Sequence, residues 1–135
     1  MRYMLDTDIC IYLIKRKPEH VLNKLYFHLD EGIGISAITL AELMRGVEAS
    51  AYPEKNAIAL NQFLAIVKIL AFDDEAAAEY GKIRATLESR GTSIGPMDML
   101  IAAHARAKKF TLVTNNIREF ERVNDLDIDN WVNGC

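Results

Sequence analysis

Cysteine is scarce in this chain. There are two in 135 residues, Cys10 within an apolar stretch and Cys135 at the last position. That excludes a disulfide scaffold, and both are read as free thiols in a reducing cytosol. No apolar run approaches the roughly 20 residues that span a bilayer, so no membrane helix is expected. The N-terminus lacks a basic segment followed by a long apolar stretch and a small-residue cleavage site, so no signal peptide is expected either. Positive charge is not in excess. Lys and Arg number 16 against 19 Asp and Glu, a net charge of −3, which argues against a protein that coats nucleic acid through charge alone. A nucleic-acid enzyme stays open, because bound cations offset acidic residues locally. Also missing are a Gly-rich phosphate loop, a Cys/His spacing for zinc, and a Ser or Cys set up as an activated nucleophile. Of three histidines, His20 and His28 lie on a polar-rich helix and are expected to be solvated. His104, inside an apolar helix, is expected to be a satisfied packing residue.

What is present is an ordinary globular composition, 50% hydrophobic and 26% charged, enough for a core in one domain spanning residues 1–135. Residues 2–6 read as a short buried strand. A helix over 9–15 follows, with Asp8 as its N-cap. Pro18 opens a second helix and residues 33–36 form a second strand. Thr39 starts a helix to about Ala49, and Pro53 another into the mid-60s. Residues 66–72 contain a run short enough for a buried strand. Asp73 or Asp74 caps a long helix to about Ser89, and Pro96 begins one ending at Lys108 or Lys109. Phe110 to Thr114 is a strand, and Ile128 falls in a possible edge strand. Short strands alternating with helices predict an α/β fold with a mainly parallel sheet flanked by helices. Ligands bind such sheets beyond the carboxyl ends of the strands, which places Asp6 and Asn116 near one site by topology alone.

Three carboxylates far apart in sequence stand beside residues that should be buried: Asp6 after Tyr3-Met4-Leu5, Glu42 in Thr39-Leu40-Ala41-Glu42-Leu43, and Asp98 before Met99-Leu100-Ile101-Ala102-Ala103. Buried charge is costly unless paired or bound to a metal, and a cluster of carboxylates suits a hard divalent cation. Each also has a structural reading. Asp6 lies at a strand-to-helix junction, where Thr7 or Asp8 could cap in its place. Glu42 fits a capping box with Thr39, and Asp98 favours a helix dipole in a first turn. Thr114 and Asn116 could make turn chemistry or orient a carboxylate, while Glu119 is either a fourth acid or a solvated helix residue. Arg90, followed by Gly91-Thr92-Ser93, is the best phosphate-binding candidate.

Taken in order, Leu5-Asp6-Thr7-Asp8-Ile9, Ile35-Ser36…Thr39…Glu42-Leu43, Gly95-Pro96-Met97-Asp98…Ile101-Ala102-Ala103-His104 and Thr114-Asn115-Asn116…Glu119-Phe120 resemble the four motifs of PIN domains. More narrowly they resemble the VapC-type toxins of type II toxin–antitoxin pairs. The resemblance implies a metal-dependent ribonuclease in which Asp6, Glu42 and Asp98 hold Mg²⁺ or Mn²⁺, with Thr7, Thr39 and Thr114 in support. The chain departs from the pattern twice. Asn116 stands where the family often has Asp, which removes one charge that Glu119 can supply. Asp8 stands where these toxins more often have Asn.

The implied reaction is hydrolysis of an RNA phosphodiester, with structured RNA as the target class and the anticodon region of the initiator tRNA as the leading candidate. Asp98 or Glu42 would take the proton of water. The resemblance also implies a homodimer in the bacterial cytoplasm and a VapB-type antitoxin. That antitoxin would lay an apolar segment over the first helices and put a basic side chain among the acids, with Ile9, Ile11, Tyr12 and Leu13 able to line part of its groove. Two other readings remain. One is a phosphatase of the haloacid-dehalogenase type using Asp6 and Asp8, although no Gly-Thr loop follows and Asn115-Asn116 stands where paired acids belong. The other is a non-catalytic interaction domain whose acids are only helix caps.

Overall fold

Side chains of the first strand, β1 (Tyr3–Leu5), alternate between two cores, as strand geometry requires. Tyr3 and Leu5 enter one and Met4 the other. The computed structural model describes residues 2–133. After β1 come α1 (Thr7–Lys15), α2 (Glu19–His28) with a 3-10 turn over Leu29–Glu31, β2 (Ile33–Ser36), α3 (Ala37–Glu48), α4 (Pro53–Leu64) and β3 (Lys68–Leu70). There follow α5 (Asp74–Arg90), α6 (Pro96–Lys108), β4 (Thr111–Val113), α7 (Ile117–Phe120) and β5 (Ile128–Asp129). All strand pairings are parallel, in the order β3-β2-β1-β4-β5. One core lies between the sheet and α1 to α4, and the other beneath α5 and α6. The chain builds outward from β1 to β2 and β3, then returns to add β4 on the other side. The carboxyl ends of β1 and β4 therefore meet at the point where the winding reverses, where such sheets open a crevice.

Several local expectations change. Asp6, not Asp8, caps α1, with its side chain accepting the Ile9 N–H. Helix α3 begins at Ala37, capped by Ser36, so Thr39 is its third residue and Glu42 its sixth. The capping box is absent. Strand β3 is a sheet edge with Lys68 and Ile69 exposed, because only β2 flanks it and the apolar run 66–72 divides between a turn, the strand and a loop. Asp73 caps α5 and Gly91 ends it in the left-handed region at φ 66°, a conformation glycine adopts without steric cost. Cys10 is a buried free thiol, and Cys135 lies outside the described residues. Among the described residues no helix is long and apolar enough to cross a membrane.

The C-terminal tail supplies an anchor that the polar sequence around it concealed. Trp131 is fully buried, edge-on to Tyr3 at 5.7 Å and stacked on His28 at 5.4 Å and 14°. His28 is therefore packed rather than solvated. His20 stays exposed and meets the Val132 carbonyl at 2.7 Å. Replacing Trp131 with Ala should cost about 3–5 kcal/mol of folding stability, read by urea unfolding. A loss no larger than that of His20→Ala would show that the tail is not part of the core.

Candidate active site

The site begins with a carboxylate in the wrong medium. Asp6 follows β1 directly and is 5% exposed. Each of its oxygens has one donor: Oδ1 accepts the Ile9 N–H at 2.9 Å and Oδ2 accepts the Thr114 hydroxyl at 2.5 Å. Thr114 closes β4, the strand beside β1, and its Oγ1 in turn accepts the Asn116 N–H at 2.9 Å. One turn structure thus ties two strand ends together through a carboxylate.

The other acids arrive on helices. Thr7, first residue of α1, donates its hydroxyl to Glu42 Oε1 at 2.5 Å, which draws the middle of α3 toward Asp6. Asp98 is the third residue of α6 and half-buried. Glu119, in α7, accepts the Gly95 N–H through Oε1 at 3.3 Å and the side-chain amide of Asn116 through Oε2. Gly95 is the N-cap of α6, so Glu119 both contributes a charge and fastens the start of the helix that carries Asp98. Asn116 is exposed and bonded to Glu119. Asp8 is exposed in the first turn of α1. Thr39 is buried with its Oγ1 unpartnered. Arg90 is exposed at the end of α5, away from any ion pair with these acids among the described residues.

The electrostatics show that the acids feel one another. Burial pushes the Asp6 carboxyl up to about 6, against the hydrogen bonds from Thr114 and Ile9, with the charges of Asp8 and Glu42 adding to the rise. The Asp98 carboxyl is pushed up to about 7 by burial, by a hydrogen bond with Glu119 that favours its neutral form, and by the charges of Glu119, Asp6 and Glu42. Such an all-oxygen, over-negative set fits a hard divalent cation. Among the described residues no group of three or more His, Cys, Asp or Glu side chains is arranged to hold a metal ion by itself. Mg²⁺ does not require one, because it keeps several waters and uses one or two carboxylates together with substrate phosphate.

Beside the acids runs a groove of 360 Å³ between α1, α3 and α4, with Glu42 on its wall and Ile11, Ile14, Val47 and Leu60 supplying the apolar lining. Of the first-helix residues considered for such a groove, Ile11 lines it, Ile9 and Leu13 belong to the core, and Tyr12 is half-buried outside the lining. Ile14 was missed, although its position three residues beyond Ile11 marked the same helix face. The backbone donors at Ile9 and Gly95 carry no side-chain signal in sequence.

Residues 3–126 match the PIN domain. The chain is 42% identical over 131 residues to a protein of Salmonella typhimurium named tRNA(fMet)-specific endonuclease VapC, covering 97% of this chain and 98% of that one. It is 47% identical over 133 residues to Ribonuclease VapC2 of Haemophilus influenzae, covering 98% and 99%. Its fold superimposes with a TM-score of 0.93 on a chain in the crystal structure of VapBC2 from Rickettsia felis bound to a DNA fragment from their promoter. That chain is 44% identical, with 97% of this chain and 99% of that one covered. With the acids gathered at the strand ends and these relatives matched along nearly the whole length, the chain belongs to the PIN-domain family, in its VapC group.

Proposed function

We propose that this chain is a metal-dependent endoribonuclease toxin, working as a single domain, that cuts the initiator tRNA and is silenced by a VapB-type antitoxin. The observation that carries the reading is the gathering of Asp6, Glu42, Asp98 and Glu119 from four segments at the carboxyl edge of the sheet. The tRNA comes from the name of the Salmonella relative, and the antitoxin from the Rickettsia complex. The bacterial cytoplasm is the compartment this substrate requires, and the free thiol of Cys10 agrees with a reducing one.

Asp6, Glu42 and Asp98 would hold Mg²⁺ or Mn²⁺. A bound divalent cation makes water a nucleophile near neutral pH and offsets charge on the phosphate under attack. The protein's part is to aim and to exchange protons. Thr114 and the Ile9 N–H fix both oxygens of Asp6, so its orientation is set before any ligand arrives. Thr7 holds Glu42, and Asn116 with the Gly95 N–H holds Glu119. Asp98, beside Glu119, or Glu42 would take the proton of water. The apolar groove with Glu42 on its wall is shaped for an apolar antitoxin segment, whose basic side chain would neutralise the acids in place of the cation.

The pH dependence follows with a definite sign. The folded state binds the protons of Asp6 and Asp98 more tightly than the unfolded chain, whose carboxyls titrate near 3.8. Without metal, stability is therefore greatest below about pH 4 as far as these groups are concerned, and it falls as pH rises through about 6 and 7. For Asp6 alone the difference amounts to about 3 kcal/mol. Asp98→Asn should raise Tm in chelator at pH 8 and not at pH 4, since it removes a charge present only at the higher pH. The same variant should lose about 100-fold or more in RNA cleavage, and titration calorimetry should show its Mn²⁺ affinity reduced at least about tenfold. Wild type and variant binding Mn²⁺ alike would end the metal assignment.

A second test names the substrate. Inducing the chain in a bacterial host should arrest growth, and sequencing of RNA 5′ ends should show new ends in the anticodon region of the initiator tRNA. Asp6→Ala should abolish both. New ends confined to messenger or ribosomal RNA would refute the tRNA assignment while leaving the nuclease intact.

A further inference from the structure

Among the described residues, two buried side-chain polar atoms have no hydrogen-bond partner: His104 Nε2 and Thr39 Oγ1. They belong to α6 and α3, the helices that carry Asp98 and Glu42. A buried hydrogen bond joins the same two helices, His104 Nδ1 to Ser36 Oγ at 2.8 Å. Ser36 is the last residue of β2 and the cap of α3, its Oγ accepting the Ile38 N–H at 3.1 Å. The alternation of β2 sends Ile33 and Ile35 into the core under α1 to α4, which leaves Ser36 facing α6.

This arrangement satisfies one ring nitrogen only. Ser36 Oγ accepts from the Ile38 N–H and retains a second lone pair and its own proton, so it pairs with Nδ1 in either ring tautomer. Nε2 is the orphan in either case. Its surroundings include the Phe72 ring, perpendicular to the imidazole at 5.4 Å. Burial lowers the His104 pKa, with Asp73 opposing and Lys108 reinforcing, so the ring is a neutral hydrogen-bonding group. A pair kept only for packing would be better as apolar residues at both 36 and 104, which fill similar space and leave nothing unpaired. An unsatisfied buried atom in a native core calls for a reason.

The reason lies in what the bond joins. Ser36 is six residues before Glu42 on α3, and His104 is six residues after Asp98 on α6. At 1.5 Å per residue each acid stands about 9 Å along its helix from the tie. We propose that His104 is a positioning residue: through Ser36 it holds the start of α3 against α6 and so sets the separation of Glu42 from Asp98. This rests on the reading of those acids as one ribonuclease site, where a displacement of about 1 Å costs about 100-fold in rate.

The test uses the full chain, Mn²⁺ and an initiator tRNA transcript, with kcat per folded molecule and KM measured separately. His104→Leu trades one buried unpaired group for another and should keep Tm near wild type yet lose at least about tenfold in kcat at unchanged KM. His104→Asn, whose amide reaches the Nδ1 position, should recover to within about threefold of wild type. Leu87→Ala, in the core beneath α5 and away from the tie, should lower Tm and leave kcat per folded molecule unchanged. A His104→Leu enzyme with the kcat of Leu87→Ala overturns the proposal. So does a crystal structure of His104→Leu with an unchanged Glu42–Asp98 separation, a readout that needs no turnover. Should the Leu variant fail to fold, His104→Asn against His104→Gln decides, since Gln places its amide at the Nε2 position; a ratio of kcat values below about five overturns it. Asp98→Asn in the same assay separates the two levels. Full activity there defeats the ribonuclease site itself, whereas an inactive Asp98→Asn beside a fully active His104→Leu defeats only the positioning role.

Discussion

The interior position of Asp6 is the constraint on which the site depends. A carboxylate removed from water must be given donors or lose its charge, and here each oxygen receives one, from the Ile9 N–H and from Thr114. The first of these bonds decides where α1 starts. It therefore decides where Thr7 stands, and Thr7 is what reaches Glu42. The second fixes Thr114, whose hydroxyl oxygen receives the Asn116 N–H and so shapes the turn that presents Glu119. Two donors to one carboxylate thus locate two further acids contributed by distant parts of the chain. Even so the donors do not offset desolvation, and the Asp6 carboxyl remains well above its ordinary value.

Four acids held this way form a region that works against folding when it is fully charged and unoccupied. Strain of this kind is common where a fold is organised around chemistry rather than stability. A cation relieves it by changing the local charge outright. A basic side chain entering beside Glu42 relieves it in the same way, and the apolar groove at that residue gives such a side chain something to ride in on. On the ribonuclease reading, activation and inhibition are two means of neutralising the same excess charge.

Much of this was legible in the residues. The strand over 33–36, the Pro-initiated helices at 53 and 96 and the Asp73 cap stand where pattern and capping chemistry put them, because those signals are local. The parallel sheet followed from alternation of strand and helix. The errors came where a short motif had two possible frames. Thr39-Leu40-Ala41-Glu42 has the form of a capping box, but Ser36 two residues before Ile38 is a competing cap, and it starts the helix a turn early. Asp8 has the form of a cap for α1, whereas Asp6 is the cap and binds Thr114 with its other oxygen. His28 and Trp131 are distant in sequence, and no periodicity links them, so their stacking was invisible until the fold closed. Long-range partners of this sort, like the Gly95 N–H on Glu119, depend on loop paths that residue types alone do not specify.

The departure at Asn116 can now be understood in physical terms. An aspartate there would accept hydrogen bonds only, and it would place another negative charge beside Glu119 in a site where Asp98 already resists ionisation. The amide instead donates to Glu119, and its backbone N–H donates to Thr114. Glu119 answers with its second oxygen on the N-cap of the Asp98 helix. Three residues along the chain from Asn116, Glu119 stands beside Asp98, and Asn116 is the donor that orients it. Glu119 thereby carries a structural bond to α6 as well as a charge beside Asp98. Any change that moves Glu119 will move the start of that helix, and with it Asp98.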